Sequence, residues 1–144
     1  MFPKPSGCNG CPLQSSSQGW SGFFVGDHDI TVISGPLSPT ELEKGEPLVG
    51  SSGLLLDRTL SRGGIALNKL NKVASVRCSP AEGTLTPEIV SLCGSRYNHY
   101  INYKGGVIIL AGKEAYHQFT GGYDDILDVR GYPIWDSMRG AWLI

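Results

Sequence analysis

Apolar residues along this chain fall into short runs separated by Gly, Pro and Ser. Ile30-Thr31-Val32-Ile33 reads as a buried strand and leads into the turn-rich Ser34-Gly35-Pro36-Leu37-Ser38-Pro39. Gly45-Glu46-Pro47-Leu48-Val49-Gly50 reads as a loop, and Leu54, Leu55, Leu56 and Leu60 predict an amphipathic helix starting near Ser51 or Ser52. Val73-Ala74-Ser75-Val76 predicts a second strand that ends at Arg77-Cys78. Thr86-Pro87-Glu88 is a helix start, with Thr as cap and Pro in the first turn, and Ile89, Val90, Leu92, Cys93 and Tyr97 form its buried face. Val107-Ile108-Ile109-Leu110 is the clearest core strand, and Gly112 opens a helix through Ala115, Tyr116 and Phe119. Ile126-Leu127-Asp128-Val129 and Ala141-Trp142-Leu143-Ile144 predict two further short strands.

Strands that alternate with helices predict an α/β fold: a three-layer α/β/α sandwich with a short, mostly parallel central sheet. Right-handed crossovers then gather the loops after the strands at one edge, where ligands bind in such sheets. A length of 144 residues with 40% hydrophobic content fits one domain over residues 1–144. The leader, residues 1–22, is different. It is rich in Gly, Ser, Pro and Gln, forms no core, and is ordered only if something pins it.

Composition narrows the chemistry. Net charge is -1, so any contact with nucleic acid needs a local cationic patch. Met1-Phe2-Pro3-Lys4-Pro5 has no apolar signal-peptide core, and no apolar run approaches the ~20 residues of a membrane helix. The expectation is a soluble, cytoplasmic monomer. In a reducing compartment, four cysteines point to metal ligands before disulfides. Their pattern is Cys8-x2-Cys11, a gap of 66 residues, and Cys78-x14-Cys93. Four thiolates suit a [4Fe–4S] cluster or a tetrahedral zinc, although zinc ribbons usually carry two CxxC knuckles and this chain has one. Ordinary burial of Cys78 and Cys93 is the plain alternative.

Several stretches, in order, resemble the family 4 and 5 uracil-DNA glycosylases, which include forms seen in phages. Gly7-Cys8-Asn9-Gly10-Cys11-Pro12-Leu13 resembles the family's N-terminal cluster pair. Gly45 through Leu56 resembles its G-x-P-[FL]-V-G-x-[AS]-G-x-L-L signature. Val76-Arg77-Cys78-Ser79-Pro80 resembles the segment that delivers the third cluster cysteine, and Cys93 falls where the fourth is expected. Val107 through Ala115 resembles the strand–Gly–helix unit, and Arg130-Gly131 with Trp142-Leu143-Ile144 resembles the approach to the last catalytic motif.

The resemblance implies hydrolysis of the N-glycosidic bond of uracil in DNA, single-stranded or otherwise uracil-containing, after the base leaves the stack. It implies a structural 4Fe-4S cluster on Cys8, Cys11, Cys78 and Cys93. It also implies a base pocket from Ser34, Gly35, Pro36, Leu37, Leu48, Val49, Gly50 and Ala74. Candidate phosphate contacts are Lys44, Arg58, Lys72, Lys113 and Arg139, with Arg77 favoured because it adjoins Cys78.

The chain departs from the family pattern in four places. Gly35 stands where a water-positioning Glu is usual, with Glu41, Glu43 and Glu46 nearby as a solvated acidic loop. Ala74 stands where an Asn reads the uracil edge, and Asn71, three residues earlier, reads as a turn residue. A late His-Pro-Ser motif would lie beyond Ile144, and His28, His99 and His117 sit in other contexts. Leu48 replaces a stacking aromatic. The alternatives are a C-terminally truncated enzyme, a catalytically inactive DNA-binding or accessory homologue, and a zinc-stapled α/β domain for an unrelated nucleotide.

Overall fold

The computed structural model describes residues 4–17, 19–22, 24–101, 103 and 106–144. Its centre is a five-stranded sheet in the order β2-β1-β3-β5-β4. The strands are β1 (Ile30–Ser34), β2 (Asn71–Ala74), β3 (Val107–Leu110), β4 (Ile134–Asp136) and β5 (Ala141–Leu143). Neighbours are parallel from β2 to β5, and β4 closes one edge antiparallel to β5. The helices are α1 (Leu13–Ser16), α2 (Pro39–Lys44), α3 (Ser51–Ser61), α4 (Pro87–Tyr97), α5 (Lys113–Thr120) and α6 (Ile126–Val129). None of the described helices is long and apolar enough to cross a membrane.

The three layers follow from the period of two along each strand. Ile33 and Ile108 face one side, packing with Val73, Ala115 and Phe119, the last two from α5. Val32 and Ile109 face the other, packing with Leu48, Leu67 and Leu70 and with Leu56 and Leu60 of α3. The two central strands are thus buried on both faces, which is why they read as continuous apolar runs.

Other elements shift or change. The second strand runs from Asn71 to Ala74, two residues earlier than expected, because Phe24 exchanges backbone hydrogen bonds with Lys72 on its outer edge (Phe24 N to Lys72 O, 3.1 Å; Lys72 N to Phe24 O, 2.8 Å). That contact covers an edge that would otherwise be open. Residues 126–129 form helix α6, not a strand: Asp125 caps it by accepting from Leu127 N at 2.9 Å. A four-residue apolar run carries too little period to separate the two conformations, so the cap decides. The sequence reading also passed over β4. Asp136 accepts from Met138 N (3.0 Å) and Arg139 N (3.2 Å), and this turn folds β4 back onto β5. In α3 the helix is where the pattern puts it, but Leu54 and Leu55 face outward, 54% and 69% exposed, while Gly53 is buried. A Cβ on Gly53 would lie 1.7 Å from Leu48 O, so the preceding loop can pack there only against glycine.

Candidate functional site

Two regions form at the C-terminal ends of the parallel strands. The first gathers the cysteines. Cys8 ends a 3-10 turn (Ser6–Cys8), Cys11 N donates to Cys8 O at 3.0 Å, and Gln14 N donates to Cys11 O at 2.9 Å, leading into α1. This leader is held by side chains distant in sequence. Leu13 is 2% exposed, packed with Val76, Cys78, Ile89 and Val90, while Cys11, Trp20 and Cys93 line the same cluster. The Lys4 ammonium donates to Gln14 O (2.8 Å), Ser17 O (3.1 Å) and Leu13 O, closing the C-terminal end of α1. Arg96 of α4 donates to Asn9 O (3.3 Å) and Gly7 O, and the Cys8 Sγ lies 3.1 Å from the Tyr97 hydroxyl. The pin that the leader's composition demanded is therefore present.

Cys78 arrives from the segment after β2, where every residue from Lys72 to Ser79 is buried. Cys93 lies on α4 in line with Ile89 and Tyr97 at helical spacing. Burial pushes the Cys78 thiol up. Ser17 and Lys4 pull it back, and the neighbouring Cys8 and Cys11 raise it further. Burial likewise pushes Cys93 up, the backbone and guanidinium of Arg77 lower it, and Cys78 and Cys8 raise it. Cys11, Cys78 and Cys93 border one apolar cluster.

Arg77 does not lie where a phosphate contact needs it. It is 1% exposed, donates to Asn98 Oδ1 at 3.3 Å and covers the Tyr97 ring at 5.2 Å. Burial draws its guanidinium down to about 10, still a cation at neutral pH, and the adjacent Cys93, Tyr103, Tyr97 and Cys8 act in the opposite direction. The expected role at DNA does not fit this burial. Adjacency to Cys78 places the residue, but the chain turns inward there, so its charge serves the thiols.

Four thiols, an apolar wall and two cations, Arg77 and Lys4, suit an anionic thiolate-held group: the cations offset negative charge that burial would otherwise make costly. Among the described residues, no group of three or more His, Cys, Asp or Glu is placed to hold a metal ion.

The second region is the crevice where the strand order reverses, between the ends of β1 and β3. Ser34 ends β1, buried, with Oγ donating to Gly35 O at 3.2 Å. Gly35 and Pro36 are half-buried, and Leu37 N donates to Val76 O at 3.3 Å. Ala111 N donates to Ile33 O at 2.8 Å and binds the two strand ends together. Leu48 is buried against Val32, with Ala111 at the edge of that cluster, and has φ of 62°, a left-handed conformation that costs a branched side chain on the order of 1 kcal/mol.

Glu41 fixes that conformation. One of its oxygens accepts from Leu48 N at 2.6 Å, and the other accepts from Ser38 N (2.9 Å) and Ser38 Oγ (2.8 Å) in a capping box at the start of α2. Glu46 pairs with Lys72, which is buried and also covers the Phe24 ring at 4.3 Å. The acidic loop is thus structural at Glu41 and Glu46, while Glu43 is exposed.

The expected pocket residues divide. Leu48, Val49 and Gly50 line an open depression of about 470 Å³ with Asp57 and Asn68. Leu37 and Ala74 instead pack with Leu42 in a small internal cluster. Asn71 is the first residue of β2, not a turn residue. Its amide accepts from Gly26 N (2.8 Å) and donates to His28 O (3.0 Å) and Thr31 Oγ1 (3.4 Å), so both ends serve the fold. Of the other cations proposed for DNA, Lys44, Arg58 and Lys113 are exposed, whereas Arg139 pairs with Asp136 and covers the Phe119 ring at 4.6 Å.

A second cavity, about 240 Å³, opens between α4 and α5 and is lined by Leu85, Val90, Lys113, Glu114, His117 and Tyr123. His117 Nε2 lies 3.1 Å from Ser91 Oγ, and Nδ1 donates to Gly122 O at 3.3 Å. Two residues that the sequence reading did not single out organise this side. Gln118 donates to Ser75 O and Val90 O, both at 2.7 Å, and joins α5 to α4 and to the end of β2. Glu114 reaches toward Gly35 and Gly112, its Oε2 being 3.8 Å from a Cβ built on either. No protein-family model matches the chain, and no curated protein matches it in sequence.

Proposed function

We propose that this chain is a uracil-DNA glycosylase-like DNA-repair domain that hydrolyses the N-glycosidic bond of uracil in DNA, stapled by a structural 4Fe-4S cluster on Cys8, Cys11, Cys78 and Cys93. The observation that carries the reading is that Cys11, Cys78 and Cys93 border one apolar cluster, with Cys8 against Tyr97 of α4 and the buried Arg77 over the same ring. The order of motifs along the chain supports it, as does the meeting of the loops after β1 and β3 at the switch point.

In this reading the cluster supplies a covalent staple and no redox step. The chain's own residues do the rest. Leu13, Lys4 and Arg96 seat the leader, Glu41 holds the Leu48 backbone, and the depression at Leu48, Val49 and Gly50 receives an unstacked base. Backbone N–H groups beside glycine approach the base closely. The test is incubation of the cluster-loaded protein with single-stranded, uracil-containing DNA, then alkali. Breaks at uracil support the enzyme, and intact strands support the second reading.

That second reading, a catalytically inactive DNA-binding homologue, is favoured by two observations. Ala74 is packed against Leu37 and Leu42, where it cannot read a base, and the Asn71 amide is committed to Gly26, His28 and Thr31. A site that hydrogen-bonds a base edge discriminates strongly, and an alanine does not supply that bond.

A further inference from the structure

We infer that Glu114 is the catalytic carboxylate of the strand-end crevice, acting on the sugar side of the scissile bond; the inference rests on the proposed glycosidic hydrolysis. Gly35 carries no side chain at the end of β1, and Gly112, with φ of 115°, carries none at the end of β3. Among the described residues and outside the chain neighbours, Glu114 Oε2 is the one atom within 4 Å of a Cβ built on either glycine, at 3.8 Å from both. The first turn of α5 therefore brings a carboxylate over the gap between the two central strands. Among the described residues it has no hydrogen bond or ion pair, whereas Glu41 and Glu46 are both engaged. It is partly exposed and also lines the cavity toward His117, so water reaches it.

The chemistry needs a group of this kind. As the C1′–N1 bond breaks, its electron pair leaves on uracil N1 and positive charge develops on the sugar, as in glycoside hydrolysis. A water oxygen forms the new bond to C1′. Glu114 takes the proton that this water sheds and returns it to the departing uracil anion or to solvent. The products are uracil and an abasic deoxyribose, and no other reactant is required. An acidic residue in a first helical turn also interacts favourably with the helix dipole, a purely structural role that the experiment must separate.

The test compares the cluster-loaded wild type with Glu114→Gln in two assays. The first is single-turnover excision from single-stranded, uracil-containing DNA. The second is affinity for an oligonucleotide with a cationic pyrrolidine abasic analogue, measured against one with neutral tetrahydrofuran. The expected result is an excision rate about 100-fold lower in the variant, with an unchanged melting temperature. The wild type should also prefer the cationic analogue by at least about tenfold, and the variant should lose that preference. Excision within twofold of wild type overturns the inference, whatever happens to the melting temperature. If the wild type excises nothing, the proposed function fails, and the analogue pair then decides alone. A preference abolished by Glu114→Gln sustains the carboxylate's place beside the sugar, and a preference absent or unchanged removes it.

Discussion

The cysteine cradle and the strand-end crevice both form where parallel strands end, yet they are held in opposite ways. The cradle is tied by many distant partners: Leu13 in an apolar cluster, Lys4 on the end of α1, Arg96 on the leader backbone, and Tyr97 against Cys8. The crevice depends on few. Ala111 joins the two strands, Glu41 fixes Leu48 in a left-handed conformation, and Glu114 has no hydrogen bond or ion pair among the described residues. A staple gains from redundancy, because each contact offsets the entropy of ordering a segment with no core of its own. The proposed chemistry would require the crevice to leave polar atoms unengaged for a substrate, in keeping with its fewer supports.

That contrast is open to attack, from the strongest expected effect to the weakest. Cys78→Ala should abolish bound iron and leave residues 1–22 susceptible to limited proteolysis. Unchanged digestion of the leader would mean that protein contacts alone hold it. Leu13→Ala removes the leader's apolar anchor and should cost about 3 kcal/mol by urea denaturation, with the leader released before the sheet unfolds. A loss under 1 kcal/mol would show that the cradle does not depend on this packing. Glu41→Ala deletes a capping box and the bond to Leu48 N together and should cost about 1–2 kcal/mol. It should also weaken binding of uracil-containing DNA more than it lowers stability, and equal effects would place Glu41 in the fold alone. Leu55→Ser, on the outward face of α3, should change stability by no more than about 0.5 kcal/mol. A larger loss would mean that this face is covered.

Much of the fold was legible because the signals were local. The runs Ile30–Ile33 and Val107–Leu110 are continuous and apolar, as strands buried on both faces must be, and Thr86-Pro87 marks the start of α4 with a cap and a first-turn proline. The place of Cys93 on α4, one turn from Ile89 and one from Tyr97, was legible from the same spacing.

What stayed hidden depends on contacts across the fold. A leucine-rich stretch gives the length of α3 but not its inward face, which is fixed by Leu48 pressing on Gly53. Residues 126–129 look the same as strand or helix until Asp125 is seen to cap them. Arg77 is adjacent to Cys78 in sequence, but only the tertiary path shows that it turns inward. Glu114 is invisible as a site residue because its meaning comes from Gly35, which is far away in the chain and carries no side chain of its own.

The most direct measurement is iron, acid-labile sulfide and zinc content of protein purified without oxygen, together with its visible spectrum. A brown protein with about four irons and four sulfides per chain is expected, its colour lost in Cys78→Ala. A colourless protein, with one zinc or no metal at all, would contradict that expectation.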